Sequence, residues 1–186
     1  MNITLKNIQI LIKKAIENDA CKAEIKVLKN LKTLDDFINH PDAPYWCFWV
    51  ANHLMCKRWL EAEYIIARNF SIASEYATCV MDDRWDAVEN NLQSVSESDI
   101  HSSSGSCYYY AKDCIQGRWE KAESIIIQSI YYSVYYAINV LKYRWYKLEE
   151  IIKENMETEF PYLNIDDQEA IIYYQNYFNI KDLYDN

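Results

Sequence analysis

The sequence predicts an all-α protein, a solenoid-like stack of four short two-helix repeats with helical caps at both ends. Three observations carry this. The 186 residues include only 2 Gly and 3 Pro, which removes most turn and hairpin chemistry and leaves long stretches free to be helical. Neither occurs between Tyr45 and Ser104, where an all-β or α/β chain would need frequent punctuation. An Arg-Trp pair also recurs four times at regular spacing, and repetition of this period marks helical arrays.

The pairs are Arg58-Trp59, Arg84-Trp85, Arg118-Trp119 and Arg144-Trp145. The first and last intervals are both 26 residues; the middle one is 34, an insertion of 8. The extra residues fall in the Ser-rich segment 94–106, whose composition predicts a mobile loop. Five residues after each Arg stands Glu63, Glu89, Glu123 or Glu149. Seven before stands Ala51, Ala77, Ala111 or Ala137, and eight before stands Val50, Tyr76, Tyr110 or Tyr136. Eleven before, every residue is small: Cys47, Ala73, Cys107 and Ser133. These offsets, with apolar or Cys residues three and four before the Arg, lie on one helix face. Positions one, four and eight after it form the stripe of a second, shorter helix. Each repeat is therefore two helices joined by a turn at the Arg, and stacking buries the face that neither helix can bury alone.

The third copy, Tyr110-Ala-Lys-Asp-Cys-Ile-Gln-Gly-Arg-Trp-Glu-Lys-Ala-Glu123, resembles a short helical repeat of uncharacterised tailed-bacteriophage proteins. That motif runs Tyr-Ala-x-x-Val-x-x-Gly-Arg-Trp-x-x-Ala-Glu, and the resemblance covers roughly residues 45–156. It implies the repeat architecture and a viral or mobile-element origin, and no activity. The turn glycine survives only as Gly117; Lys57, Asp83 and Tyr143 replace it elsewhere. Because Gly normally supplies a left-handed helix cap, those three turns are expected to pack more tightly or to close differently.

The ends do not carry the repeat. Residues 1–44 read as an N-terminal helical cap: an amphipathic helix through Leu5, Ile8, Leu11/Ile12 and Ala15/Ile16, then a helix over Cys21–Leu31. Thr33-Leu-Asp-Asp36 has the form of a capping box opening a short helix that stops before Pro41. Four repeats fill residues 45–156. Residues 157–186 read as an acidic C-terminal helical cap, rich in Tyr173, Tyr174 and Tyr177, and the whole as one continuous domain.

Net charge is −9, of which −7 falls in residues 154–186. That balance disfavours direct binding to a nucleic acid backbone and suits either a partner with a basic surface or solubility alone. The first residues lack a signal-peptide pattern, and the most apolar run, Ile125–Leu141, is too short and polar to span a membrane. A cytoplasmic protein is expected, its six Cys reduced and without Cys-x2-Cys zinc spacing.

Catalytic, metal and cofactor sites are not expected. His40, His53 and His101 are scattered, with no ligand at metal spacing, and no phosphate loop or nucleophile elbow is present. The Arg–Glu signature could suggest phosphate binding and base catalysis, but four copies fit a stacking contact better. In that reading each Glu accepts hydrogen bonds from an Arg, a Trp indole or a Tyr of a neighbouring repeat. The candidate partner-binding residues are the acids Glu157, Glu159, Asp166 and Asp167. With them stand Tyr108, Tyr109, Tyr131 and Tyr132, because adjacent helix residues about 100° apart cannot all point inward. The function expected is a non-enzymatic, phage-encoded interaction module that binds a host protein. Its sharper form is an anti-CRISPR-like inhibitor of a host defence or nucleic-acid-processing protein. The alternative is a structural or assembly protein of a virus or mobile element, which would self-associate.

Overall fold

The computed structural model describes residues 3–17, 21–158 and 163–180. The chain is all-helical, with no strand among the described residues. It divides into two compact units, Met1–Asn91 and Leu92–Asn186.

The first unit opens with α1 (Leu5–Glu17) and α2 (Lys22–Asn30), close to the predicted spans. Next comes α3 (Leu34–Ile38), which begins on the predicted capping box. The Thr33 hydroxyl accepts from the Asp36 N–H at 3.0 Å, and the Asp36 carboxylate accepts from the Thr33 N–H at 2.8 Å. These bonds hold the Asp36 carboxyl below its ordinary range. The first repeat follows as α4 (Ala43–Trp49), extended by a π-helical turn Val50–Met55, and α5 (Glu63–Ile66). The second is α6 (Phe70–Tyr76), a π turn Ala77–Met81, and α7 (Asp86–Asn91). Ile8, Leu11, Phe37, Trp46, Trp59 and Ile66 share one core, so the N-terminal helices pack onto the first repeat. The Trp46 indole N–H also donates to Glu24 on α2.

The second unit holds α8 (Ile100–Tyr109) with its π turn Tyr110–Ile115, and α9 (Glu123–Ile126). Then come α10 (Ile130–Tyr136) with π turn Ala137–Leu141, α11 (Tyr146–Thr158), and α12 (Ile165–Phe178).

The periodic positions are buried as their spacing requires. Cys47, Ala73, Cys107 and Ser133 are fully buried, as are the four Ala seven before each Arg. In this column the Ser133 hydroxyl donates to the Ile126 carbonyl at 2.9 Å, so a small polar residue is accommodated without a stranded group.

Two expectations are corrected. The Ser-rich segment is not a mobile loop. Glu97–Asp99 is a 3-10 turn, α8 begins at Ile100, and Ser103, Ser104 and Gly105 are buried. The single Ser104 hydroxyl proton is shared between the Ile125 carbonyl at 2.7 Å and the Ile100 carbonyl at 3.0 Å, so Ser104 ties α8 to α9. At Gly105, a Cβ would lie 2.7 Å from the Tyr132 ring; the missing side chain is what lets that ring approach.

The second correction concerns the turns. All four first helices end in the same way, on a left-handed residue two before the Arg: Cys56, Asp82, Gln116 and Lys142, with φ of 50°, 53°, 56° and 62°. The N–H of each donates to the carbonyl of the repeat's Ala, five residues back, which makes the last turn π-helical. Neither glycine has positive φ, so Gly117 does not supply the cap; its N–H donates to the Ala111 carbonyl just as those of Lys57 and Asp83 donate to Ala51 and Ala77. A Cβ at Gly117 would meet no atom within 4 Å. Gly117→Ala is therefore expected to stabilise the protein by about 0.4–1 kcal/mol through the unfolded chain. A lower midpoint in thermal unfolding would show that the turn does need glycine there.

Candidate functional site

The signature residues form one polar cluster per repeat. Arg58 Nε and Nη2 donate to Glu63 Oε1 and Oε2 at 2.9 and 3.0 Å, a fork-to-fork pair. Arg84–Glu89, Arg118–Glu123 and Arg144–Glu149 repeat it, with distances of 2.6 to 3.1 Å. In the first and third repeats the cluster is completed by the tyrosine of the following first helix. The Tyr76 hydroxyl accepts from the Trp59 backbone N–H at 2.8 Å and donates to Glu63 at 3.0 Å. Tyr136 does the same for Trp119 and Glu123, at 2.8 and 3.4 Å. The Arg partner thus comes from the same repeat as its Glu, the tyrosine hydroxyl reaches Glu63 and Glu123 from the following one, and the Trp takes part through its backbone N–H.

The last repeat uses a residue that spacing alone did not single out. Tyr174 on α12 accepts from the Trp145 N–H at 2.8 Å and donates to Glu149 at 2.9 Å. It lies 29 residues beyond Trp145, against 17 from Trp to Tyr in the first and third repeats, so the repeat spacing does not reach it. Burial pushes the Tyr76 hydroxyl up to about 12 and raises Tyr136 and Tyr174 as well. Burial also pushes the Glu149 carboxyl upward, but hydrogen bonds from Arg144 and Tyr174 outweigh it and hold Glu149 below the carboxylate range. The four carboxylates each accept from the Arg of their own repeat, and Glu63, Glu123 and Glu149 also accept from a tyrosine hydroxyl.

The acidic candidates separate. Asp166 is exposed at the start of α12. Asp167 is not free: Oδ1 accepts from the Tyr131 backbone N–H at 3.0 Å, in the first turn of α10, and its own N–H donates to the Asn164 cap at 2.8 Å. The Glu157 side chain and Glu159 lie outside the described residues. Asp167→Ala is accordingly expected to cost about 1 kcal/mol, the usual effect of losing a helix-start acceptor, with Asp166→Ala neutral. Equal melting of the two variants would remove Asp167 from the packing.

The tyrosine candidates converge on one face of the second unit. Tyr108 is buried, its hydroxyl accepting from Asn139 Nδ2 at 2.9 Å, so it serves as a base rather than a surface. Tyr109 is 47% exposed. Its ring lies 6.2 Å from Tyr132, which is 5.2 Å from Tyr131. Tyr135 continues at 4.7 Å from Tyr131, and Tyr173 on α12 at 6.0 Å from Tyr135. Tyr177 ends the run 6.3 Å from Tyr173. The last two are 45% and 51% exposed. Tyr135 stands one turn from Tyr131 and Tyr132 in the sequence, and Tyr173 and Tyr177 join them because α10 and α12 pack side by side.

Among the described residues no group of three His, Cys, Asp or Glu could hold a metal ion, and no helix is long and apolar enough to cross a membrane. No protein-family model matches the sequence, and no curated protein or solved structure is similar to it.

Proposed function

We propose that this protein is a non-enzymatic interaction module, a solenoid-like stack of four repeats of phage type that works in the host cytoplasm and binds a host protein. The tyrosine face of the second unit carries the reading. Tyrosines supply large, rigid, amphipathic contact area at low entropic cost and are enriched at protein interfaces. Six of them run together across three helices here, three being close to half exposed. Packing does not explain such exposure, since the structural tyrosines Tyr76, Tyr110, Tyr136 and Tyr174 are fully buried. The engagement of every Arg–Glu pair in the polar clusters supports a binding role over an enzymatic one.

The test is capture from host cells by the full chain and by a Tyr109→Ser, Tyr173→Ser, Tyr177→Ser variant. Surface substitutions of this kind usually change stability by less than about 0.5 kcal/mol each, so the variant should fold normally and lose the partner. A variant that captures the same protein at the same yield refutes the assignment of the face.

A further inference from the structure

We infer that the tyrosine face receives an arginine-bearing basic polypeptide segment, its guanidinium planes laid on the exposed rings. The inference rests on the reading of this face as a protein-binding surface and adds the chemistry of the partner.

Charge around the rings points there. Helix α12 contains Asp166, Asp167 and Glu169 and no basic residue. Asp166, Glu169, Tyr173 and Tyr177 follow at i, i+3, i+7 and i+11, so two carboxylates share a stripe with two exposed rings. At the far end of the run, Lys112 lies 6.0 Å from the Tyr109 ring centroid, but Asp113 neutralises it at 3.0 Å. From Leu92 to Asn186 there are 15 acids and 8 bases, a balance of −7. A row of π faces in a negative field attracts cations twice, through the ring quadrupoles and through the carboxylates. Arginine suits such a row better than lysine. Its guanidinium is planar, stacks on aromatic faces, and is more weakly hydrated than an ammonium, so less solvation is lost on contact. A nucleic acid could stack its bases on the rings, but its phosphates would meet the acidic field. A proline-rich helix would fit an aromatic groove and leave the carboxylates unused.

The experiment titrates the full chain with synthetic peptides of equal length that carry arginine, lysine or proline at every third position. A fourth titration uses oligouridylate. The readout is the ring resonances of Tyr109, Tyr173 and Tyr177, assigned through single Tyr→Phe variants. The arginine peptide should shift these resonances and bind at least about tenfold tighter than the lysine peptide, the margin that several modest stacking contacts give. Tyr109→Ser with Tyr173→Ser should erase that margin while leaving the thermal midpoint unchanged. Equal binding of the arginine and lysine peptides, or arginine binding that leaves these rings unshifted, overturns the inference. If the proline peptide shifts the rings instead, the arginine assignment falls and the protein-binding reading stands. If only oligouridylate shifts them, both fall.

Discussion

Glu149→Ala is expected to lower the unfolding free energy by about 2–3 kcal/mol, the largest effect among the signature glutamates. Its side chain is 7% exposed, while Arg144 is 41% exposed. On removal Arg144 therefore regains water, and the cost falls on the Tyr174 hydroxyl, buried and left with no acceptor; stranding such a group costs about 1–3 kcal/mol. Loss of the partly screened ion pair adds little. The three clusters with a described tyrosine should rank by the tyrosine-to-glutamate distance: Glu149 at 2.9 Å, Glu63 at 3.0 Å and Glu123 at 3.4 Å. Chemical denaturation of the three alanine variants measures the order, and a Glu123 effect exceeding that of Glu149 would break the argument. Acid adds a second check. The folded-state pKa of Glu149 lies below its ordinary value of 4.5. Its contribution is thus complete above that value and is lost as pH falls through the folded one. The stability gap between the wild type and Glu149→Gln should narrow on acidification below that value; a constant gap would mean that Glu149 titrates alike in both states.

Tyr174→Phe should cost about 1–3 kcal/mol although it removes a single oxygen. The ring still fills its site, but the buried Trp145 N–H loses its acceptor and Glu149 loses a donor. Tyr76→Phe and Tyr136→Phe are expected to behave alike, because each hydroxyl serves a Trp N–H in the same way. Hydrogen exchange at the Trp145 amide gives a local readout: protection should fall there in Tyr174→Phe before it falls elsewhere in α11. An unchanged amide would show that another group accepts the bond.

The spacing of Arg, Trp, Glu and Ala made the two-helix repeats legible, because helical burial imposes a period that survives in the chain. The capping box at Thr33 was legible for a similar reason: its bonds are local. Less local chemistry was not. The hydroxyl of Tyr76 recurs in the sequence eight residues before an Arg, yet its partner belongs to the preceding repeat. Val50 is the clue, since the first repeat has no predecessor and carries no hydroxyl at that position. The left-handed residues escaped notice because Cys56, Asp82, Gln116 and Lys142 share no side-chain chemistry. All four are held by the Ala carbonyl behind them, while Gly117 one place later drew the eye. The Ser-rich segment misled through composition. Ser103, Ser104, Cys107 and Ala111 already follow a helical spacing of small residues, the signal that outweighed the serine content. The burial of Tyr108 and the bond of Asp167 leave no local trace, because Asn139 and the Tyr131 amide are distant in sequence.

The tyrosine that completes each described cluster always comes from later in the chain, which gives the fold a direction in time. A polypeptide leaves the ribosome amino end first, so Trp59 and Glu63 emerge before Tyr76, and Trp145 and Glu149 well before Tyr174. The growing end of the nascent protein therefore carries an unfinished polar cluster until the next first helix appears. Completion of the last cluster waits on α12, so Trp145 and Glu149 leave the ribosome well before the hydroxyl that satisfies both of them.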